Sequence, residues 1–211
     1  MILRIVRASV DPGTAVTLVE RLRREIVPRL SVADGIGTFA FGVHHADAGD
    51  QFLALSTWRD FDAVAAAADG RPEDSIGAPF LVGTLSDVTT GHYELIVPGG
   101  VSMPSTDGPV LGVLTGLVRP RSEPHVHATI EAIRPRIEAA GVLALYVGRR
   151  LAASGTSDLA VVAVWSDRTR LDEFSKARPE GAIDPEFTAH LLDWQFVVYD
   201  CFSLEPATSR N

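Results

Sequence analysis

The sequence predicts an α+β fold in which two β-α-β-β-α-β repeats pack sheet to sheet. A glycine-bounded apolar stretch, GIGTFAFG at residues 35–42, returns as GVLALYVG at residues 141–148. A tryptophan closes an apolar run twice, at Trp58 in STWRDFDAV and at Trp165 in AVWSDRTRL. Because self-similarity at a fixed spacing is the signature of a repeated structural unit, these stretches indicate a tandem duplication.

Three further pairs of segments keep the same order and spacing. All five pairs lie 106–108 positions apart, which is about half of the 211-residue chain. A constant offset over five ordered matches favours one duplicated unit over chance similarity. The further pairs are VDPG (10–13) with VRPR (118–121), IVPRL (26–30) with IRPRI (133–137), and HYELI (92–96) with VYDCF (198–202).

Each repeat is predicted to run strand, helix, strand, strand, helix, strand, which is the ferredoxin-like order. The strands are rich in β-branched residues, and the helices carry apolar residues at intervals of three and four. We expect strands at 2–10, 35–42, 52–58 and 92–96 with helices at 16–30 and 59–68, and then strands at 110–118, 141–148, 159–165 and 198–202 with helices at 126–137 and 167–176.

Proline, glycine and serine mark the expected boundaries. Pro28 and Pro135 fall late in the first helix of each repeat, where we expect them to kink the helix or end its regular hydrogen bonding. HADAGDQ and AASGTSD are predicted turns, and RPEDSIGAPF and RPEGAIDPEF are less regular segments. We expect repeats at 1–97 and 110–205, a linker at 98–109 and a tail at 206–211.

Composition excludes several classes of protein. A net charge of −8 argues against a nucleic-acid partner, because phosphate neutralisation needs a basic surface. No run is long and apolar enough for a membrane span, and the arginine-containing N-terminal run does not read as a signal peptide. The single cysteine, Cys201, predicts a buried thiol in a reducing, cytoplasmic protein. The sequence leaves the oligomeric state open, a homo-oligomer included.

The duplicated order, the glycine-bounded second strands and the paired Trp58 and Trp165 carry a family resemblance. The chain resembles the dimeric α+β barrel superfamily, and within it the antibiotic-biosynthesis-monooxygenase-like group. The resemblance implies that the two halves form one pseudo-dimeric barrel. It also implies a small apolar or aromatic ligand, with cofactor-independent monooxygenase-like chemistry in secondary metabolism as the leading function. A non-catalytic ligand-binding or interaction protein is the alternative.

Haem-degrading and anthrone-oxidising members of the superfamily are known for a catalytic asparagine. The sole asparagine of this chain is Asn211, its last residue, which speaks against both activities. We therefore expect no cofactor, and haem binding stays open because relatives that hold haem use a helical histidine. His190 is the nearest candidate by region.

Polar residues differ between the halves, and this difference predicts the site. Arg4, His92 and Glu94 are the candidate catalytic residues, since the first and last strands of a ferredoxin-like unit are neighbours. An imidazole beside a carboxylate can act as a general base. A structural ion pair is the competing interpretation.

The ligand is expected to lie in the first half. Its predicted contacts are Trp58, Phe39, Phe41, Tyr93 and Arg7, although packing alone also explains the tryptophan. The second half is expected to serve as a scaffold, because it has Gly112, Thr115 and Val198 at the matching strand positions.

No metal site is expected. His44 and His45 are adjacent on a strand and face opposite sides. His127 and Glu131 are one helical turn apart, but two ligands without a third are weak evidence for a metal.

Overall fold

The computed structural model describes residues 1–72, 81–97, 108–151, 157–176 and 183–206. Most of the predicted linker, the tail beyond Pro206, and parts of the AASGTSD, RPEDSIGAPF and RPEGAIDPEF segments lie outside the described residues. The fold is mixed α+β with one antiparallel sheet of eight strands. The strands are β1 (Ile2–Val10), β2 (Ile36–His44), β3 (Gln51–Trp58), β4 (Leu85–Val97), β5 (Val110–Val118), β6 (Val142–Leu151), β7 (Ser157–Trp165) and β8 (Leu191–Pro206).

Six helical segments accompany the sheet. They are α1 (Ala15–Arg21), α2 (Val27–Leu30), α3 (Phe61–Ala67), α4 (Glu123–Ala139), α5 (Arg168–Lys176) and α6 (Pro185–Thr188), and a π-helical turn at Leu22–Ile26 joins α1 to α2. None of these described helices has the length and apolar character needed to cross a bilayer.

The described residues form two compact units. The first unit holds those up to Glu94 together with those from Tyr199, and the second holds Leu95 to Val198. The hydrogen-bonded order in the first unit is β4-β1-β3-β2, followed by the C-terminal part of β8. In the second unit the N-terminal part of β8 neighbours β5, and β7 and β6 follow. Each unit therefore has its first strand between its last strand and its third.

The core of the first unit lies between the sheet and the segment from α1 to α2. Leu18, Leu22, Ile26 and Leu30 recur at helical spacing and are all buried. They pack on alternate residues of the strands, among them Phe41, because successive strand residues face opposite sides. Burying each such side chain contributes about 1.5–3 kcal/mol. We call this side of the sheet its helix side.

The second unit buries its helices in the same manner. Val126, Ile130 and Ile137 form the buried stripe of α4. Val126 and Ile130 pack in one core cluster with Leu114, and Ile137 packs in another with Trp165. The helix side of this sheet is therefore covered chiefly by apolar side chains.

The two helical prolines have different consequences. Pro28 follows the π-helical turn, and because proline has no N–H it cannot donate the helical bond to the preceding turn. Pro135 lies inside α4, which continues to Ala139. The expected interruption of regular hydrogen bonding is confirmed in the first helix, and the second helix does not end at its proline.

Both helices that follow a tryptophan-ended strand begin at an aspartate. The Asp60 carboxylate accepts a hydrogen bond from the Ala63 N–H at 2.8 Å, and the Asp167 carboxylate accepts one from the Arg170 N–H at 2.9 Å. These bonds to the charged carboxylate hold the pKa of each aspartate below its ordinary value. The caps fix where α3 and α5 begin.

We predict that Asp60→Ala lowers the unfolding temperature at pH 7, whereas Asp60→Asn keeps most of the cap. Because the folded-state pKa of Asp60 lies below 3.8, the charge-dependent stabilisation is present above that pH and is lost as the pH falls further. Thermal unfolding at pH 7 and pH 3 should show the wild-type advantage over Asp60→Asn shrinking in acid. An Asp60→Ala variant as stable as the wild type would show that the cap contributes nothing.

Candidate functional site

Arg4 is a charged residue within the apolar helix side of the first unit. It is 4% exposed, and it pairs in register with Ser56 on β3 and His92 on β4. Directly paired residues of antiparallel strands share a face, so the three side chains lie on one side. Arg4 and Ser56 line a cavity of about 20 Å³, which is room for about one water molecule.

Burial lowers the pKa of Arg4 from its ordinary value to about 10. Since an arginine side chain keeps its proton in proteins, this shift expresses the cost of holding a charge among apolar groups. The cost is present in full at pH 7, because that pH lies below both values. Arg4 therefore destabilises the fold unless another group compensates it.

The other two predicted catalytic residues lie on the same face of β4. The half-buried His92 ring meets Phe61 of α3 edge-on, with ring centroids 5.2 Å apart. Glu94 pairs in register with Ile2, one alternation beyond His92, and its side chain is exposed. The structure thus places Arg4 directly opposite His92 and leaves Glu94 at the solvent end of the row.

Three of the predicted ligand contacts belong to the core. Phe39 and Trp58 are fully buried, and Phe41 stacks with Phe52 at a centroid distance of 6.2 Å. The Trp58 indole Nε1–H donates to the Ser56 hydroxyl oxygen at 2.8 Å. The only polar atom of the indole is thereby satisfied inside the protein.

Tyr93 and Arg7 lie on the opposite face from Arg4. Tyr93 pairs with Leu3, and Arg7 pairs with Leu53. Each lies an odd number of residues along its strand from Arg4 or His92, so its side chain points to the other face. Arg7 is hydrogen-bonded to Tyr199 of β8. Burial raises the pKa of the Tyr199 hydroxyl, and the charge and hydrogen bond of Arg7 oppose that rise. Tyr199 was not among the predicted site residues. Its one signal in the sequence is that it occupies, in the second repeat, the position of Tyr93 in the first.

A larger cavity lies in the second unit, between the sheet and α4, α5 and α6. Its volume is about 70 Å³, and its wall is formed by apolar side chains of β5, β6, β7 and these helices. Trp165 and Phe174 form an aromatic corner, with ring centroids 5.1 Å apart. Asp184 supplies the one charged group of the wall, and its carboxylate accepts the Glu186 N–H at the start of α6.

The strand register explains why this cavity is larger. Trp58 pairs with Ile2 and Ser56 with Arg4, while Trp165 pairs with Val110 and Ala163 with Gly112. Where the first unit has arginine opposite serine beside its tryptophan, the second has glycine opposite alanine. Of the differences that made the second half read as a scaffold, Gly112 lines this cavity. The larger of the two described cavities therefore lies outside the half where we expected the ligand.

The described residues do not favour a metal or a haem at these cavities. No group of three or more His, Cys, Asp or Glu side chains in the described residues could hold a metal ion. Haem takes an axial His, Cys, Tyr or Met ligand, and none of these lines either cavity. A volume of about 70 Å³ is also well below the roughly 300 Å³ of a typical cofactor pocket.

Comparison with known proteins shows the fold. No protein-family profile and no curated protein matches the chain. A proposed monooxygenase of Fusobacterium nucleatum subsp. nucleatum superposes with a TM-score of 0.73 at 12% identity, covering 97% of this chain and 94% of that one. A proposed monooxygenase of Lactobacillus acidophilus NCFM gives 0.72 at 11% identity, covering 98% and 96%.

Two further solved structures widen the range of chemistry seen on this fold. An anthrone oxidase-like protein superposes with a TM-score of 0.67 at 12% identity, covering 100% of this chain and 94% of that one. A proposed chlorite dismutase gives 0.55 at 13% identity, covering 98% and 96%. At such identities the likeness establishes a monooxygenase-like α+β fold and leaves function to the site.

We predict that Arg4→Met raises the stability of the protein at pH 7. Methionine keeps the length of the side chain and removes the buried charge, whose desolvation costs on the order of several kcal/mol. The matched control is Arg7→Met, which breaks the bond to Tyr199 and should lower stability. Chemical unfolding of the three proteins checks this. Destabilisation by Arg4→Met as large as that by Arg7→Met would mean that Arg4 belongs to a structural ion pair.

Proposed function

We propose that the second unit binds a small apolar or aromatic molecule, and that the protein is a small-molecule-binding member of this monooxygenase-like fold. The supporting observation is the cavity beside Gly112 and Ala163, whose wall is apolar apart from Asp184. Its volume of about 70 Å³ suits a short, branched hydrocarbon smaller than a six-membered ring. It is about half of the roughly 150 Å³ cavity that accepts benzene in another protein.

The energetics of packing support a ligand. A cavity costs about 24 cal/mol per Å³, which comes to roughly 2 kcal/mol for about 70 Å³. A larger side chain at Ala163 would remove that cost, and the first unit has a larger residue at the equivalent position. A bound apolar molecule would recover the same free energy without a change of sequence.

The wall of the cavity favours binding over catalysis. General acid–base chemistry needs a positioned titratable group, and Asp184 is the one charged group in this wall. Its carboxylate already accepts the first N–H of α6. The ligand-binding alternative of the sequence analysis is therefore our first choice for the second unit.

Monooxygenase-like catalysis in the first unit is the second candidate. It is supported by the direct pairing of Arg4 with His92 and by the fold shared with proposed monooxygenases. The assignment of Arg4, His92 and Glu94 as catalytic residues stays a prediction. The same holds for ligand contacts by Trp58, Phe39, Phe41, Tyr93 and Arg7, for a cytoplasmic location and for a homo-oligomer.

We also propose that the chain is a tandem duplication forming a pseudo-dimeric barrel, with repeats at 1–97 and 110–205. Matched backbone features support it. Both units have a register shift at the start of the second strand, between Ile36 and Thr38 and between Val142 and Ala144. Left-handed backbone recurs at matching positions in three pairs, Gly13 with Arg121, Gly35 with Gly141, and Asp87 with Asp193.

We predict that Ala163→Leu fills the cavity and abolishes ligand binding. The unliganded variant should unfold at a temperature a few degrees above that of the wild type, because the added carbons occupy apolar space. Isobutene should raise the unfolding temperature of the wild type and leave that of the variant unchanged.

Ala128→Leu, on the exposed side of α4, is the matched control and should respond to the hydrocarbon as the wild type does. An equal response of Ala163→Leu and the wild type, or no response of the wild type, would refute binding in this cavity.

A further inference from the structure

We infer that the molecule bound in the second unit is neutral and carries a hydrogen-bond acceptor, such as a ketone oxygen, that receives the Trp165 indole N–H. The inference rests on the proposed function, since it names the chemistry of the ligand in that same cavity. It further assigns Ala163 and Gly112 as the residues that keep this N–H available.

The Trp165 indole has no hydrogen-bond acceptor among the described residues, and its nitrogen is not one of their fully buried unbonded atoms. Trp165 is 2% exposed, and it packs in an apolar cluster that includes the Phe174 ring. Its counterpart Trp58 donates to Ser56, two residues earlier on the same strand. Position 163 is two residues before Trp165 and is alanine, which offers no acceptor.

The indole nitrogen lies at the cavity wall. A Cβ built on Gly112 would be 3.8 Å from Trp165 Nε1 and 3.1 Å from the Phe196 ring, and all three residues line the cavity. Gly112 has no side chain to cover the nitrogen, whereas the first unit has Arg4 at the equivalent position. The N–H is therefore within reach of a molecule in the cavity.

Water is a poor partner for this donor. An ordered internal water needs two to four polar partners, and the wall is apolar apart from Trp165 Nε1 and the Asp184 region. An apolar ligand that fills the cavity would cover this donor, and a covered donor without a partner is costly, so a ligand that brings its own acceptor satisfies it best.

The charge of the wall selects a neutral acceptor. Asp184 is the one charged side chain among the lining residues, and the whole chain carries −8. A carboxylate ligand would be repelled and would lose its hydration in an apolar cavity. A ketone, ether or hydroxyl oxygen on a small apolar molecule is uncharged and can accept the Trp165 N–H.

A pair of ligands of equal shape tests the inference. Acetone and isobutene differ in having an oxygen or a CH₂ group at one position, and both are smaller than benzene. Titration calorimetry on the full chain should give a ratio of ketone to hydrocarbon affinity that falls about five- to tenfold in Ala163→Ser, the effect of one neutral hydrogen bond. The new serine should take the Trp165 N–H as Ser56 takes that of Trp58.

The indole N–H signals in a ¹⁵N-correlated NMR spectrum give a second readout. The chain has three tryptophans, and Trp165→Phe identifies the signal of interest. We expect acetone to move that signal downfield in the wild type and to leave it in place in Ala163→Ser. Ala128→Ser, exposed on α4, is the matched control and should bind both ligands as the wild type does.

The outcomes separate the two claims. If both ligands bind and Ala163→Ser changes neither affinity, or weakens both equally, the inferred hydrogen bond is absent while the cavity still binds apolar molecules. If neither ligand binds the wild type, the proposed function fails and the inference fails with it. A selective loss of ketone binding, together with the shifted Trp165 signal, supports the inference.

Discussion

The rest of this structure depends on one packing constraint, which is that the space beside each strand-ending tryptophan, between the sheet and the helices, has to be filled. Both units place a large indole there and cover it with helices, and each must fill what the indole leaves. The first unit fills the space with the Arg4 side chain and satisfies its indole with Ser56. The second has Gly112 and Ala163 at the paired positions and retains a cavity of about 70 Å³. A filled space in one unit and a binding cavity in the other follow from the same two positions.

Much of the fold could be predicted from the spacing of apolar residues and from the glycine, proline and serine residues that mark element boundaries. The strands of both halves were predicted to within a few residues, except that β4 and β8 begin well before the predicted 92 and 198. Their N-terminal parts contain the left-handed Asp87 and Asp193, and polar residues there mask the alternation that signals a strand. The π-helical turn before Pro28 was foreseen as an irregularity of the helix, without its geometry.

The site was harder to predict, for a physical reason. Period-two alternation correctly places Arg4, His92 and Glu94 on one face, and it also separates Arg7 and Tyr93 from them. A cavity is made by side chains that are missing, and Gly112 and Ala163 gain meaning only when strand register sets them opposite each other beside Trp165. Structural neighbours at 11–12% identity show the fold alone, so the chemistry has to be argued from this chain.

A crystal of the protein pressurised with xenon would test the central claim most directly, because xenon enters apolar cavities and is located by its own scattering. The account predicts a xenon site in the second unit among Gly112, Ala163 and Trp165, and none beside Arg4. Xenon bound only beside Arg4, or a second unit in which neighbouring side chains close the space, would contradict it.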